Sequence, residues 1–326
     1  MHCKKLQEQL QQPIDGALIT IDTTTGAVVA LVGGADFRTS KFNRALAAKR
    51  QIGSIIKPLI YALAVEDGMT FADSIDDEPL ELTVEGKSWK PRNYDRQFHG
   101  SITLAYALSH SSNIAAVKLL MSCGPQRVCK LARACGIHSS LHTFPSLALG
   151  CIDATLYDIA GMIRIFAHDG LYSEPYAIAW VKNQWGEKIF HAAPESCRVL
   201  DSRVVGQVNR VLQLGIARAC RASKEQISAQ AIGKTGTTND SRTCWYAGAT
   251  PSYTTAIYIG CDDNRSMGDN VYPVRTALPI WLSLNAALSH DQKTFTRDPS
   301  LREITIDEKT GRTVLAHHPR AITIVI

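Results

Sequence analysis

Apolar residues alternate along the first part of the chain and then recur at helical spacing. Ala17–Asp22 alternates and contains β-branched residues, Thr23–Gly26 has the composition of a turn, and Ala27–Val32 is a second apolar run. This pattern predicts a β-hairpin at the start of the chain. From Ser54 to about Val65, and again over much of Ile102–His168, apolar residues are spaced by three to four positions, which predicts helices.

The second half of the chain returns to strand patterns. A hairpin, a helix, three strands and a closing helix are predicted in this order: Ala177–Lys182 with Lys188–His191, Ser202–Ala219, Ala231–Thr237, Thr243–Ala249, Thr255–Gly260 and Pro279–Leu288. Strands at both ends around a helical middle predict an α/β fold of the α+β sandwich type. Its sheet is expected to join strands that are distant in sequence.

Composition and charge exclude several classes of protein. The chain has 326 residues, 45% hydrophobic and 20% charged, which is typical of a globular protein with a large core and excludes disordered or collagen-like chains. The net charge of +5 comes without a block of Lys or Arg, so nucleic acid is not an expected partner. Cys123, Cys129 and Cys135 recur without a Cys-x-x-Cys pair. No metal site and no cofactor is therefore predicted, and the cysteines are expected to be structural thiols.

Residues 1–16 are polar and are predicted to be a lead-in or linker. They lack the apolar segment of a signal peptide. The longest apolar run, Ala27–Val32, is far shorter than the roughly 20 residues of a membrane-spanning helix. We expect either a cytoplasmic protein or one whose targeting segment lies outside this chain.

The first candidate catalytic motif is Ser54-Ile55-Ile56-Lys57. Residues three apart share one face of a helix, so the hydroxyl and the amine lie side by side. A serine becomes a nucleophile when a neighbour takes its proton, and lysine can do so when burial and a second cation lower its pKa. Ile55 and Ile56 supply apolar surroundings, and Lys234 is the candidate second cation. Surface serines and lysines give the same spacing, so this motif is weak alone.

The second motif, Ser111-Ser112-Asn113, lies between helical segments and is predicted to be a loop. Its hydroxyl is suited to relay a proton to a leaving amine, and its amide to bind a peptide backbone. Ser283-Leu284-Asn285 repeats the pattern inside the closing helix. We interpret that second copy as helix packing.

The third motif is Lys234-Thr235-Gly236, followed by Thr237, and it is predicted to lie on an edge strand. Gly236 has no side chain to prevent a ligand backbone from pairing with the strand, and Lys234 with Thr235 or Thr237 is suited to bind a carboxylate. Lys309-Thr310-Gly311 repeats the tripeptide between acidic and basic residues, which is typical of a hairpin turn.

Ser-x-x-Lys, Ser-x-Asn and Lys-Thr-Gly in this order are the signature of β-lactamases and penicillin-binding proteins. The chain resembles the transpeptidase domain of class A, bifunctional penicillin-binding proteins over about residues 17–290. Further segments carry the resemblance: Ala30–Gly34, Phe42–Ala45, Lys90–Asp95, Gly100–Leu104 and Thr237–Gly248.

The resemblance implies an antiparallel sheet covered by helices, an all-helical subdomain and a site between them. Ser54 is implied as the acylated nucleophile and Lys57 as its base, with the backbone N–H groups of Ser54 and Thr237 as the oxyanion hole. The catalytic residues it implies are Ser54, Lys57, Ser111, Asn113 and Lys234. The substrate-binding residues are Ser112, Thr235, Gly236 and Thr237.

The resemblance also implies partners and a location. The substrates are peptidoglycan stem peptides ending in D-Ala-D-Ala, and β-lactams bind covalently at Ser54. The location is the cell envelope, at the outer face of the cytoplasmic membrane, with membrane contact only through a segment absent from this chain. The transpeptidase domain is expected over residues 17–290, followed by a β-hairpin extension over 291–326.

Two departures from the family pattern leave alternatives open. Ile52 stands where the family usually has Pro. The membrane anchor and glycosyltransferase domain of class A proteins are not in this chain, so a fragment of a bifunctional protein and a stand-alone transpeptidase are both open. A serine β-lactamase and an inactive binding module remain alternatives to the transpeptidase. The acids nearest the motifs in sequence, Glu66, Asp95 and Asp240, do not have the spacing of a known deacylating base, whereas Lys57 has apolar neighbours suited to a carbamylated lysine.

Overall fold

The computed structural model describes residues 2–221, 230–238, 241–269, 271–288 and 293–326. The α-helices are α1 (His2–Leu10), α2 (Arg44–Ala47), α3 (Lys57–Glu66), α4 (Leu104–Ser109), α5 (Asn113–Cys123), α6 (Pro125–Ala134), α7 (Leu156–Ala167), α8 (Ser202–Arg221) and α9 (Ala277–Ala287). The strands are β1 (Ile14–Asp22), β2 (Val28–Val32), β3 (Arg50–Gln51), β4 (Ser74–Asp77), β5 (Leu82–Val84), β6 (Lys87–Trp89), β7 (Gly100–Thr103), β8 (Asp153–Ala154), β9 (Leu171–Tyr172), β10 (Trp180–Lys182), β11 (Lys188–His191), β12 (Cys197–Arg198), β13 (Ile232–Thr237), β14 (Thr243–Ala249), β15 (Tyr253–Cys261), β16 (Glu303–Asp307) and β17 (Ala321–Val325).

An antiparallel sheet in the order β13-β14-β15-β1-β2 forms the central layer. Strand β1 pairs with β15 along its whole length, from Ile14 opposite Cys261 to Asp22 opposite Tyr253. The first strands of the chain therefore share a sheet with strands from its last third, as the sequence predicts. Strand β13 forms one edge of this sheet, which is the position predicted for the strand that carries Lys234.

Helices cover both faces of the sheet. Alternate residues of β14 and β15 point to opposite sides, so that Trp245 belongs to the core shared with α7 and Tyr246 to the core shared with α9. The aromatic rings of Tyr246 and Trp281 on α9 lie 5.3 Å apart, edge to face. Both faces of β14 are buried, which explains why its sequence is apolar or small at nearly every position.

The polar N-terminal segment contains a helix, α1, which the sequence pattern does not predict. Helix α1 packs Cys3, Leu6 and Leu10 against the same core as Ile14. These three apolar residues recur at three- and four-residue steps, which gives the helix one apolar stripe among polar neighbours.

A helical layer built around α3 stands against the β13 edge of the sheet. Every residue of Lys57–Val65 is buried, so α3 is surrounded on all sides by other elements, including α5, α6 and α8. No helix within the described ranges has the length and hydropathy needed to cross a membrane.

Ser54 lies in a short 3₁₀ turn, Gly53–Ile56, and the α-helix begins only at Lys57. The sequence pattern predicts one helix from Ser54 onward. Pro58 explains the difference, because proline is accepted in the first turn of an α-helix but not further inside.

Candidate active site

Lys57 lies at the centre of the site and is fully buried. Its Nζ donates hydrogen bonds to the carbonyl oxygen of Ser111 at 2.7 Å, to Oδ1 of Asn113 at 2.7 Å and to Oγ of Ser111 at 3.2 Å. The beginning of α3 and the loop before α5 are thereby joined through one amine. The sequence motifs Ser-x-x-Lys and Ser-x-Asn thus meet in space as predicted.

Lys234 approaches the same serine from the sheet. Its Nζ donates to Oγ of Ser111 at 2.9 Å and to the carbonyl oxygen of Thr235 at 3.2 Å, and its side chain is only 6% exposed. The hydroxyl of Ser111 therefore lies between two buried amines. This position suits a group that passes a proton between them.

Burial lowers the pKa of both lysines, because a desolvated ammonium is less stable than a desolvated amine. The pKa of Lys57 lies well below its ordinary value through burial first and the nearby Lys234 charge second, while Asp77 acts in the opposite direction. Burial lowers the pKa of Lys234 to about 7. The neutral amine that a general base requires is therefore accessible near neutral pH.

Ser54 is half-buried at the mouth of this cluster, on a turn held tightly against β13. Gly53 has a positive φ of 57°, and a Cβ there would lie 2.6 Å from the carbonyl oxygen and 3.0 Å from the amide nitrogen of Thr237. A side chain at Gly150 would in turn collide with the Gly53 carbonyl. The close packing brings the backbone of Ser54 beside that of Thr237, where an oxyanion hole is expected.

The side-chain hydrogen bonds of Lys57 within the described residues all go to Ser111 and Asn113. None goes to the hydroxyl of Ser54, although the backbone N–H of Lys57 donates to the Ser54 carbonyl oxygen. Catalytic hydrogen bonds are often formed only once substrate is bound. In the protein without substrate, the amine of Lys57, the expected general base, is therefore hydrogen-bonded to the Ser-x-Asn loop.

Gly236 also leaves room for a neighbouring element of the protein. A Cβ at this position would collide with the carbonyl oxygen of Ile52 and lie 2.8 Å from the side chain of Ile55. The absent side chain thus makes room for the turn that carries the nucleophile. Alternation along β13 gives Lys234 and Gly236 one face of the strand and Thr235 and Thr237 the other.

Ser112, expected to bind substrate, lies at the beginning of α5. Its side chain is 6% exposed and caps α5, because its Oγ accepts the backbone N–H of Ala115 at 3.1 Å and donates to Oδ1 of Asn93 at 3.3 Å. Its neighbour Ser111 has a positive φ of 61°, which turns the loop sharply ahead of the helix. Ser111 and Asn113, not Ser112, face Lys57.

Two residues of the site were missed by sequence reasoning. Asn93, in the loop before β7, accepts hydrogen bonds from the start of α5, and buried Asp77 at the end of β4 binds Asn93. Asn93 lies in a segment that carries the family resemblance, which was the available signal. Asp77 is one of several acids in a loop-rich stretch, and nothing in the pattern separates it from Asp76.

The positions of the acids considered for deacylation are as follows. Glu66 is at the opposite end of α3, and Asp95 contacts Nε2 of His99 at 3.0 Å. Asp240 lies outside the described residues. Among the residues that the structure describes, no cluster of His, Cys, Asp and Glu is arranged to hold a metal ion.

The second copies of the motifs lie away from the site. Asn285 is buried in α9, where its amide donates to the carbonyl oxygen of Trp281 at 2.8 Å. Lys309 follows β16 in a turn in which Oδ1 of Asp307 accepts the backbone N–H groups of Lys309 and Thr310. Both copies have the structural settings that were predicted for them.

Comparison with known proteins agrees with this geometry. The family described as penicillin binding protein transpeptidase domain matches residues 16–271. Penicillin-binding protein 1A of Aquifex aeolicus is 38% identical over 275 residues, which cover 82% of this chain and 37% of that protein. Penicillin-binding protein 1A of Neisseria lactamica is 36% identical over 287 residues, which cover 84% of this chain and 36% of that protein.

Solved structures show the same fold. The crystal structure of penicillin-binding protein 1A from Haemophilus influenzae has a TM-score of 0.84 at 28% identity, covering 96% of this chain and 53% of that one. PonA1 from Mycobacterium tuberculosis in complex with penicillin V has a TM-score of 0.79 at 23% identity, covering 98% of this chain and 89% of that one.

The chain belongs to the penicillin-binding protein transpeptidase domain family. Among its relatives are penicillin-binding proteins 1A, and the chain spans slightly more than a third of their length. The predicted family and the mixed α/β fold with an antiparallel sheet are confirmed.

Proposed function

We propose that this chain is a serine D,D-transpeptidase that cross-links peptidoglycan stem peptides through an acyl-enzyme on Ser54 and binds penicillin there. The observation that carries the proposal is the hydroxyl of Ser111, held between the buried amines of Lys57 and Lys234. Such an arrangement serves a reaction in which one proton leaves the nucleophile and another reaches the leaving group.

In the acylation step, Oγ of Ser54 attacks the carbonyl carbon of the penultimate D-Ala while neutral Lys57 takes the hydroxyl proton. The resulting oxyanion accepts the backbone N–H groups of Ser54 and Thr237. The C–N bond then breaks, and the departing D-Ala amine receives a proton from the ammonium of Lys57 through Ser111. The acyl group remains as an ester on Ser54.

In the second step, the amino group of another stem peptide attacks this ester. Its nitrogen loses a proton to Lys57, the new C–N amide bond forms as the ester C–O bond to Ser54 breaks, and Lys57 returns the proton to Oγ of Ser54. In the earlier acylation step, Lys234 in its protonated form attracts the terminal carboxylate of the donor peptide at the edge strand. Thr235 and Thr237, both half-exposed, supply hydroxyl groups to the same carboxylate.

One carboxylate lies close enough to Lys57 to raise its pKa, and the setting of this carboxylate favours acyl transfer over hydrolysis of the ester. It belongs to Asp77, which is fully buried, and each of its oxygens accepts a hydrogen bond from Nδ2 of Asn93 at 2.8 Å. A deacylating base must contact water in order to activate it, and the buried carboxylate of Asp77 has no exposed surface. Both carboxylate oxygens of Asp77 instead bind the side chain of Asn93.

The proposed domain extends over residues 17–290, with residues 1–16 ahead of it and 291–326 after it, and its C-terminal limit lies outside the described residues. The last hairpin packs Ile306 and Ile324 into the main core. The proposed site of action is the outer face of the cytoplasmic membrane, where stem peptides are exposed.

Labelling with penicillin tests the proposal. A covalent adduct of one penicillin per chain is expected, mapped by peptide mass to Ser54 and absent in Ser54→Ala. The matched control is Ser283→Ala, from the second Ser-x-Asn copy, which is expected to label fully. An adduct on another serine, or labelling that survives Ser54→Ala, would contradict the assignment.

A further inference from the structure

Asp77 is a buried acid that the proposed reaction does not use. It ends strand β4, is 0% exposed, and accepts two hydrogen bonds from Nδ2 of Asn93 at 2.8 Å. The backbone N–H of His99 also donates to its carbonyl oxygen at 3.1 Å. A buried carboxylate is costly unless it is fully hydrogen-bonded, so its presence here requires an explanation.

Asn93 transmits this contact to the beginning of helix α5. Its Oδ1 accepts the backbone N–H of Asn113 at 2.8 Å, with longer bonds at 3.3 Å from the N–H of Ile114 and the hydroxyl of Ser112. The first N–H groups of a helix have no partner within the helix. One amide side chain therefore binds Asp77 with its nitrogen and the start of α5 with its oxygen.

The start of α5 is also where Lys57 is held. The carbonyl oxygen of Ser111 and Oδ1 of Asn113 both accept from Nζ of Lys57 at 2.7 Å. Nδ2 of Asn113 donates in addition to the carbonyl oxygen of Arg92, next to Asn93. A displacement of Asn93 would consequently move both acceptors of the proposed general base.

We propose that Asp77 is a positioning residue for the acylation step, acting through Asn93 to fix Ser111 and Asn113 around Lys57. It touches neither substrate nor Ser54. The inference rests on the proposed function for its kinetic consequences, but the chain of hydrogen bonds is testable without any reaction.

The charge of Asp77 adds a second, measurable effect. The charged groups that act on Lys57 are Lys234 on β13, which lowers its pKa, and Asp77 on β4, which raises it. Removal of the Asp77 charge therefore lowers the pKa of Lys57 further. The acidic limb of the acylation rate, where Lys57 gains a proton, should move to lower pH.

The first experiment compares Asp77→Asn with Asp76→Asn, whose carboxylate is exposed on the same strand. We expect Asp77→Asn to reduce the plateau rate of penicillin acylation by about 10- to 100-fold, as a displaced catalytic group does. The acidic limb and the NMR titration of the Lys57 Nζ should both shift to lower pH. Asp76→Asn should leave the rate and both titrations unchanged, and the same result for Asp77→Asn would overturn the proposal.

A second experiment exchanges the two partners. Asn93→Asp sets two carboxylates against each other and should acylate more slowly than Asp77→Asn. The double variant Asp77→Asn with Asn93→Asp restores one donor and one acceptor, so its acylation rate should recover at least about tenfold over Asn93→Asp. The absence of recovery, with all variants folded, would show that the pair does not act as a unit.

Hydrogen exchange separates failure of this inference from failure of the proposed function. In Asp77→Asn, the amides of Asn113 and Ile114 should exchange faster than in the unmodified chain, while other amides of α5 remain protected. If the unmodified chain does not react with penicillin but Asp77→Asn still shows this faster exchange, the proposed function is refuted and the positioning role of Asp77 is retained. Unchanged exchange at both amides would refute the positioning role. If Asp77→Asn does not fold, the same two amides are measured in Asn93→Ala.

Discussion

The two Lys-Thr-Gly tripeptides, at residues 234–236 and 309–311, have the same sequence and opposite settings. Lys234 is 6% exposed on an edge strand, and its amine reaches Oγ of Ser111 at 2.9 Å. Lys309 lies in a turn organised by Asp307. The tripeptide therefore has no chemistry of its own. The first copy gains its role because a sheet edge places its lysine beside two other elements.

The glycines of the two tripeptides differ in the same way. Gly236 has an ordinary backbone conformation, and its small size admits the carbonyl oxygen of Ile52 from the nucleophile turn. Gly311 has a φ of 72°, and a side chain there would also collide with the carbonyl oxygen of Ala72. Both glycines permit a close approach between two segments, and Gly311 in addition permits a turn at positive φ.

Substitution of the lysines should give the largest contrast. Lys234→Ala removes a cation that attracts the substrate carboxylate and contacts the proton relay, so penicillin acylation should slow by about 10²–10³-fold. Lys309→Ala should change the acylation rate by less than about twofold, as a substitution outside the site does. Stopped-flow or quenched mass measurements of acylation provide the test. Equal losses in both variants would reverse the assignment of the two copies.

The asparagines of the two Ser-x-Asn copies should give the next contrast. Asn113→Ala deletes an acceptor of the Lys57 amine, and acylation should slow by about 10- to 100-fold, the size of a hydrogen bond to a charged group. Asn285→Ala deletes a bond inside α9 and should reduce the free energy of unfolding by about 1–2 kcal/mol. An acylation defect in Asn285→Ala at a temperature where it is folded would contradict this division.

The glycine variants should give the smallest kinetic effect and the finest distinction. Gly236→Ala pushes the nucleophile turn away from β13, and acylation should slow by about tenfold. Gly311→Ala should leave acylation unchanged but reduce the free energy of unfolding by about 1–3 kcal/mol, because alanine is strained at positive φ. Denaturant unfolding and acylation rates measured on both variants separate the two effects. Loss of acylation in Gly311→Ala alone would contradict the comparison.

The strands and most helices of this fold follow from the sequence because their apolar periodicity reflects burial directly. Thr243–Ala249, for example, was predicted with the bounds that the structure has. Helix α1 was missed because its apolar stripe is narrow and interrupted by charges. The separate 3₁₀ turn at Ser54 was missed because a turn and the first turn of a helix have the same spacing.

The motif residues of the site were predictable, whereas their supports were not. Ser54, Lys57 and Lys234 stand in recognisable order along the chain, so chemistry and resemblance both select them. The role of Gly236 depends on a turn more than 180 residues earlier in the chain. Asp77 and Asn93 act through hydrogen bonds that only the folded chain creates. The spacing of residues along the sequence does not predict such contacts.

The lifetime of the penicillin adduct tests most directly whether this site is built for acyl transfer. Transpeptidases and β-lactamases form the same ester, and they differ in the activation of water against it. The measurement is the decay of the adduct by intact mass after free penicillin is removed, with and without bicarbonate to allow carbamylation of Lys57. We predict an adduct at Ser54 that lasts at least minutes in both conditions, equivalent to a deacylation barrier of about 20 kcal/mol or more. Turnover faster than about one per second in either condition would contradict the account and identify the site as that of a β-lactamase.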